Sequence, residues 1–270
     1  MKKLILNSPA KLNLHLQVLD KRQDGFHNIS SCFVIIDFYD ELRFNLLDKE
    51  IKLKEVNPIK ENIILKAVNI LQKHTNTHKG IKIELIKNIP MQAGMGGGSS
   101  NAATTLLGLN RLWNLNLSQE KLQHIGLELG SDVPFFINGH SSWVEGRGEI
   151  FSSIELKESW FILFFPSVNI STEFAFKNLK SSSENIISKL DFLEGKRINS
   201  FFKWAKDTYP EIEALSRELE EYGDPQLTGT GSTIFLPCRS KSHAEKVLLK
   251  FPKGFLVKSL DDSPLLQVLE

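Results

Sequence analysis

A glycine-rich segment in the middle of this 270-residue chain constrains its fold more than any other feature. Residues 90–103 read PMQAGMGGGSSNAA, in which glycine fills four of five consecutive positions. Glycine lets the backbone approach a ligand closely and turn successive N–H groups into one concavity. The helix predicted over 99–113 would add free N–H groups and its dipole, which both favour an anion. The segment therefore predicts a phosphate-binding loop at the start of a helix.

The charge pattern around this segment agrees with an anionic ligand. Residues 85–119 contain neither Asp nor Glu, so no carboxylate there would repel a triphosphate. Two familiar phosphate motifs are excluded. The Gly195-Lys196 pair is followed by Arg197 rather than Ser or Thr, and the third glycine of a dinucleotide fingerprint would fall on Ser99. A flexible surface loop before a capped helix is the simpler alternative.

Hydrophobic periodicity indicates an α+β chain with two layered units. Apolar and polar residues alternate strictly near the amino terminus, which predicts a half-buried β-strand. Lys11, Asn13 and His15 would share its polar face and point away from the core. A polar stretch near residue 157 marks the expected domain boundary, which gives domains over residues 1–157 and 158–270.

The composition argues against several classes of protein. Lys and Arg total 33 against 32 Asp and Glu, so the net charge is +1 and no basic face for nucleic acid or an anionic membrane is expected. The longest apolar run, residues 160–165, is far shorter than a membrane-spanning helix. Asn7 and Pro9 interrupt the apolar start of the chain before it reaches the length of a signal peptide. Since two cysteines also suit a reducing compartment, we expect a cytoplasmic protein.

Five motifs carry a resemblance to a known kinase superfamily. Residues 90–103 resemble the glycine-serine signature of the galactokinase, homoserine kinase, mevalonate kinase and phosphomevalonate kinase superfamily, and LTGTGS at 227–232 resembles its carboxy-terminal glycine motif. SPAKLNL at 8–14, DGFH at 24–27 and GSDVPFF at 130–136 are similar to one family within it, the 4-(cytidine diphospho)-2-C-methyl-D-erythritol kinases. On these motifs the chain is identified as a member of that family.

The resemblance implies both a fold and an activity. The fold is the two-domain α+β kinase fold, with an N-terminal domain like ribosomal protein S5 domain 2, a ferredoxin-like C-terminal domain and the site in the cleft. The activity is ATP-dependent phosphorylation of the 2-hydroxyl of 4-(cytidine diphospho)-2-C-methyl-D-erythritol in non-mevalonate isoprenoid biosynthesis. ATP is the expected co-substrate, and Mg²⁺ is expected with it. Its ligands stay open, with Ser99 and Ser100 as candidates.

The resemblance also implies roles for residues at the reacting end. Lys11 and Asp132 would flank the acceptor hydroxyl, with Asp132 accepting the proton and Lys11 offsetting the charge of the moving phosphoryl group. The residues implied for ATP are Asn62, Pro90, Met91, Gln92, Ala93, Gly94, Met95, Gly96, Gly97, Gly98, Ser99 and Ser100. Without the resemblance, Lys11 is interpreted as a solvated strand residue and Asp132 as the cap of the turn before Pro134.

For the acceptor, the resemblance implies Asn13, Phe26, His27, Thr172 and Phe176. Phe26 and Phe176 would stack on the cytosine ring, His27 would read a base edge, and Asn13 would hold the diphosphate or erythritol portion. Phe26 stands where the family commonly has Tyr, which keeps the ring but removes a hydroxyl. Since the chain has 18 Phe, Phe176 is equally well interpreted as a core residue.

Two other hypotheses are open at this point. Another kinase of the superfamily, of the homoserine or mevalonate type, would keep the loop at 94–100 but would have no use for the DGFH motif. A nucleotide-binding module that transfers no phosphate would also keep the loop. In each case the partner is a small molecule rather than a nucleic acid or a membrane, and the protein is a monomer or a homodimer.

Overall fold

A long antiparallel strand pair organises the computed structural model, which describes residues 3–179 and 185–269. The alternating pattern around Lys11 belongs to a 19-residue strand, and its partner is a 21-residue strand. The sequence pattern predicts two strands over 33–38 and 42–46, and the structure joins them into this one partner. They are continuous because Asp40, which lies between them, is buried and hydrogen-bonded instead of starting a turn.

The described residues form ten strands and nine α-helices. The strands are β1 (Lys3–Lys21), β2 (His27–Leu47), β3 (Ile51–Glu55), β4 (Gly80–Ile86), β5 (Ser142–Glu145), β6 (Ile150–Ser153), β7 (Trp160–Phe164), β8 (Gln226–Leu227), β9 (Ile234–Cys238) and β10 (Phe255–Leu260). The helices are α1 (Ile63–Thr75), α2 (Gly97–Trp113), α3 (Gln119–Leu127), α4 (Val133–Asn138), α5 (Thr172–Asn178), α6 (Lys189–Leu193), α7 (Phe202–Thr208), α8 (Pro210–Leu219) and α9 (Lys241–Leu248). A 3-10 helix (Pro264–Val268) follows β10.

Strand β2 connects the two halves of the sheet. It pairs antiparallel with β1, β4 and β5, and β3 lies parallel to β4. Near the end of the chain, β10 pairs antiparallel with both β2 and β7, and β7 continues to β9 and β8. The strand order is β3-β4-β2-β10-β7-β9-β8. The carboxy-terminal strand therefore ties the late elements onto the early ones.

The polar face of β1 is buried, so the prediction that it points away from the core is wrong. Lys11 and Asn13 are 3% exposed and His15 is 0% exposed. Each has a later segment against it: Lys11 N donates to Met95 O, Asn13 N donates to the Thr228 hydroxyl, and His15 Nδ1 accepts from Ile198 N. Segments distant in sequence cover this face, and a two-residue period cannot reveal them.

Helix α2 is the central helix of the first half. Its buried side chains include Ala102, Leu106 and Leu109, and it packs on β1, α1 and α4. Small residues on this helix allow close approach: a Cβ atom built at Gly108 would lie 3.1 Å from the Phe44 ring. The core thus holds rigidly the helix whose first turn carries the glycine-rich segment.

The domain boundary near residue 157 stays a prediction. It falls between β6 and β7, and β10 carries the sheet from one side of it to the other. No helix among residues 3–179 and 185–269 has both the length and the apolarity needed to cross a bilayer.

Candidate active site

The glycine-rich loop turns sharply and then enters α2. Gln92, Gly94 and Gly96 all have positive φ angles, of 53°, 73° and 68°. A Cβ atom at Gly94 would lie 2.1 Å from Thr228 O, and one at Gly96 would lie 2.9 Å from the Phe136 ring. Positive φ and close packing together admit only glycine at these two positions without rearrangement. The loop therefore has a defined conformation packed against the protein, which argues against a flexible surface loop before a capped helix.

The predicted ATP-binding residues divide into buried and outward-facing ones. Ala93, Met95 and Ser100 are buried, and Met95 packs in the core. Met91 is 58% exposed, and Gly98 is also exposed, with none of the described atoms within 4 Å of a Cβ built on it. The open surface is thus the first turn of α2 and the beginning of the loop.

The first turn of α2 has the features of an anion site. Its N-cap is Gly96, and within the described part of the chain no side chain caps this end. Free first-turn N–H groups and the positive end of the helix dipole favour a negatively charged oxygen. Of the two serines, Ser100 hydrogen-bonds to the Ser8 hydroxyl, whereas Ser99 has its hydroxyl near Gly130. The Ser99 hydroxyl is therefore the more available of the two.

Lys11 and Asp132 meet beside this turn. The Lys11 ammonium lies 3.6 Å from Asp132 Oδ2, 2.5 Å from Asn13 Oδ1 and 4.5 Å from the centre of the Phe33 ring. A Cβ atom at Gly96 would lie 3.3 Å from Lys11 Cε, which places the lysine directly against the start of α2. Burial lowers the pKa of Lys11, and the Asp132 carboxylate acts in the opposite direction. The structure thus brings a cation and a carboxylate to the anion site.

Asp132 does not act as the cap that its position suggested. It is the N-cap residue of α4, yet its backbone is αR and its side chain caps none of the described N–H groups of that helix. The side chain is 29% exposed and faces Lys11. One carboxylate oxygen is therefore open to a ligand while the other faces the ammonium group.

Asn13 links the amino-terminal strand to the carboxy-terminal glycine motif. Its Oδ1 accepts from Lys11 Nζ and Gly229 N, its Nδ2 donates to the Ser31 hydroxyl, and the Thr228 hydroxyl also approaches Oδ1. Gly94 O, at 3.2 Å, is an alternative acceptor for the single proton of the Thr228 hydroxyl. Every polar group of the Asn13 side chain thus already has a protein partner. Its contacts orient Lys11 and join both glycine motifs, and its role in holding the acceptor stays a prediction.

The predicted acceptor residues lie on two neighbouring elements. Phe26, in the turn between β1 and β2, is 48% exposed. His27 begins β2 and stacks on Phe176 of α5, with ring centres 5.2 Å apart. Thr172 is exposed at the start of the same helix. The structure therefore brings His27 and Phe176 together and leaves the ring of Phe26 accessible for stacking.

Asn62 bonds to β3 and to the first turn of α1. Its Oδ1 caps α1 by accepting from Ile64 N at 2.9 Å, and its Nδ2 donates to Glu55 Oε2 at 2.7 Å. Both ends of the amide are occupied, and the side chain is buried. The proposed contact with adenine stays a prediction.

Sequence reasoning missed two charged residues around the site. The Arg147 guanidinium lies 5.0 Å from the centre of the Phe26 ring, and its neighbour Gly148 lies next to Asp132. Asp40, buried on β2, accepts hydrogen bonds from both flanks of the glycine-rich loop. Neither residue lies in a motif that resembles a known one, so no sequence signal pointed to them.

Comparisons with known proteins give a consistent family. The description "GHMP kinases N terminal domain" matches residues 62–140, and "GHMP kinases C terminal" matches residues 175–256. The 4-diphosphocytidyl-2-C-methyl-D-erythritol kinase of Actinobacillus pleuropneumoniae serotype 3 is 41% identical, over 99% of this chain and 97% of that protein. The protein of the same name from Acinetobacter baumannii is 40% identical, over 96% of both chains.

The chain belongs to the 4-diphosphocytidyl-2-C-methyl-D-erythritol kinase family. A crystal structure of 4-(cytidine 5'-diphospho)-2C-methyl-D-erythritol kinase superposes with a TM-score of 0.83 at 25% identity, over 95% of this chain and 99% of that one. The predicted family and the two-domain α+β kinase fold are therefore confirmed. The chain is a kinase, as the motifs of the family indicated.

One prediction tests the interlock between the two glycine motifs. Replacing Gly94 with Ala places a methyl group against Thr228 O at a position with φ of 73°. We expect the Kd for ATP, measured by calorimetry, to rise at least about tenfold, since strain and clash of about 2 kcal/mol or more would displace the loop.

The matched control for this prediction is Gly195→Ala. Gly195 also has a positive φ, of 101°, but a Cβ atom there meets none of the described atoms within 4 Å. We expect its ATP affinity to stay within about twofold of the wild type. Equal weakening in both variants would contradict a specific role for the Gly94 contact.

Proposed function

We propose that this protein transfers the terminal phosphoryl group of ATP to the 2-hydroxyl of 4-(cytidine 5'-diphospho)-2-C-methyl-D-erythritol, in non-mevalonate isoprenoid biosynthesis. The names of the full-length relatives support this acceptor. The observation that carries the reaction type is the Lys11–Asp132 pair at the uncapped first turn of α2. An anion site beside a cation and a carboxylate suits phosphoryl transfer to an alcohol.

Asp132 accepts the proton of the attacking hydroxyl. An alcohol is too weak an acid to lose its proton to a carboxylate before attack, so the proton moves to Asp132 as the new P–O bond forms. Lys11 sits on the opposite side of the same point and neutralises charge on the transferred group. Because Asn13 and the Phe33 ring hold the ammonium in place, Lys11 needs little reorganisation during the reaction.

The glycine-rich loop holds the triphosphate of ATP. Residues 96–99 supply backbone N–H groups to phosphate oxygens, and Asn62 contacts the adenine in this proposal. Mg²⁺, when bound with ATP, shields the phosphate charges. The Ser99 hydroxyl would be the protein ligand of such an ion, with the phosphate oxygens of ATP supplying further ligands. The described residues contain no cluster of three metal-binding side chains, so the ion would depend on ATP.

The acceptor lies between the aromatic residues and Asp132. Phe26 and Phe176 stack on the cytosine, His27 reads its edge, and Thr172 and Asn13 line the path to the erythritol end. Arg147 lies between the cytosine end and the erythritol end of this path. Its guanidinium is over the Phe26 ring, and the next residue, Gly148, is beside Asp132. Its guanidinium makes none of the hydrogen bonds or close ion pairs described for this structure, although its charge acts on the pKa of the nearby Asp24 carboxylate, and we expect its donors to bind the diphosphate.

The two alternative functions lack a supporting observation of this kind. A kinase of the homoserine or mevalonate type would leave Phe26 exposed with no ring to stack on. A module without catalysis would have no need of a buried lysine beside a carboxylate that caps none of the described N–H groups of α4. The cytoplasmic location, the small-molecule partner and a monomeric or homodimeric state complete the proposal.

The direct test is a phosphorylation assay with ATP and the cytidine-linked acceptor, followed by phosphorus NMR to locate the new ester. Asp132→Asn should lower kcat by roughly 10²–10⁴-fold because the proton acceptor is lost, with the Kd for ATP within a few-fold of the wild type. Asp262→Asn, which removes an exposed carboxylate paired with His140, should retain full activity. Full turnover in Asp132→Asn would contradict a role for that residue in proton transfer. If free methylerythritol were turned over as fast as the cytidine-linked acceptor, the cytidine would not be part of the recognised substrate.

A second test separates the acceptor from the nucleotide. Phe26→Ala should raise the KM for the acceptor by roughly 10–100-fold, since base stacking contributes about 1–3 kcal/mol, while the KM for ATP stays unchanged. Phe174 is the matched control, because it is also 48% exposed but has its ring against Trp204. Phe174→Ala should leave both constants near wild type. A rise in the KM for ATP equal to that for the acceptor would contradict stacking by Phe26.

A further inference from the structure

A buried carboxylate lies beneath the glycine-rich loop. Asp40 on β2 is 0% exposed and accepts four hydrogen bonds. Its Oδ1 accepts from Asn88 N and Ile89 N, both at 2.8 Å. Its Oδ2 accepts from Lys87 Nζ at 2.6 Å and from Asn101 Nδ2 at 2.9 Å. All the acceptor sites of this carboxylate are therefore filled by a single stretch of chain, residues 87–101.

These four donors stand on both sides of the loop. Residues 87–89 precede it, and Asn101 follows it in the second turn of α2. Asn101 also donates to the Ser8 hydroxyl, which in turn bonds to Ser100. Asp40 thus holds the entrance and the exit of the loop against the same strand, and the loop spans the distance between them.

Charge explains why a carboxylate is placed here. Residues 85–119 have no acidic side chain of their own, so β2 supplies the negative charge that the Lys87 ammonium and the clustered N–H groups require. The Lys87 ammonium lies at the start of α2, since a Cβ atom built at Gly97 would be 3.1 Å from it. Burial lowers the pKa of Lys87, and Asp40 opposes that change. Asparagine at position 40 would turn an NH₂ group toward donors and leave Lys87 without its carboxylate.

We propose that Asp40 is a positioning residue for nucleotide binding, which acts by fixing both ends of the glycine-rich loop so that the N–H groups of residues 96–99 face the triphosphate. The proposal rests on the proposed function for that loop. Asp40 itself is placed to touch no substrate, because its side chain is fully buried and four protein donors fill its acceptor sites.

The experiment compares Asp40→Asn with Asp37→Asn. Asp37 lies three residues earlier on β2 and also accepts a backbone hydrogen bond, from Lys258 N at 2.7 Å, but none of the hydrogen bonds described for it reaches the loop. We expect Asp40→Asn to raise the KM and the Kd for ATP by roughly 10–100-fold, as for the loss of a charge-assisted contact. The KM for the acceptor should stay within twofold, and kcat at saturating ATP within about threefold. Asp37→Asn should change none of these constants.

A merely structural role would give a different pattern. Loss of folded protein lowers kcat per mole of chain and leaves the ATP and acceptor constants of the remaining enzyme unchanged, and that result would overturn the proposal. If Asp40→Asn does not fold, Asn101→Ala removes a single arm of the same network, and we expect it to raise the Kd for ATP by about 3–10-fold. An unchanged Kd in Asn101→Ala would equally overturn it.

The calorimetric Kd also separates this proposal from the proposed function. It reports on ATP alone and does not depend on the acceptor. A wild-type protein that binds ATP but does not phosphorylate the cytidine-linked acceptor would contradict the proposed function, and the Asp40→Asn Kd would still decide the role of Asp40.

Discussion

The structure depends on one ammonium group held almost entirely out of water. Lys11 is 3% exposed, and an unpaired charge at such depth would cost several kcal/mol. Its compensation comes from three places: the Asp132 carboxylate before α4, Asn13 Oδ1 on its own strand, and the face of the Phe33 ring on β2. Elements far apart in sequence must converge for this cation to be stable. The convergence is also what a phosphoryl-transfer site requires.

The two glycine motifs complete the same arrangement from opposite ends of the chain. In the glycine-rich loop, Gly94 packs directly against Thr228. In the carboxy-terminal motif, Gly229 N donates a hydrogen bond to Asn13 Oδ1. The Asn13 side chain therefore hydrogen-bonds to both Lys11 and the carboxy-terminal motif. The late strand β10, paired with β2, holds the carboxy-terminal half in the position that this contact needs. Packing, and not the loop sequence alone, gives the site its shape.

Much of this could be predicted from the sequence because its signals are local. The loop, helix α2 and strand β1 follow from glycine density, helical spacing and alternation, and the family followed from motifs. Burial of Lys11, Asn13 and His15 could not be predicted, because the segments that cover them lie more than 80 residues away in the chain. The roles of Asp40 and Arg147 were hidden for the same reason. Each acts on a loop that is distant in sequence and adjacent only after folding.

The most direct measurement is a crystal structure of the protein with a non-hydrolysable ATP analogue and the cytidine-linked acceptor. We expect the triphosphate to lie on the N–H groups of residues 96–99, with the acceptor oxygen about 3–3.5 Å from the terminal phosphorus. That oxygen should lie within about 2.6–3.2 Å of the Asp132 carboxylate, with Lys11 on its other side. A triphosphate bound away from this turn, or an acceptor hydroxyl out of reach of Asp132, would contradict it.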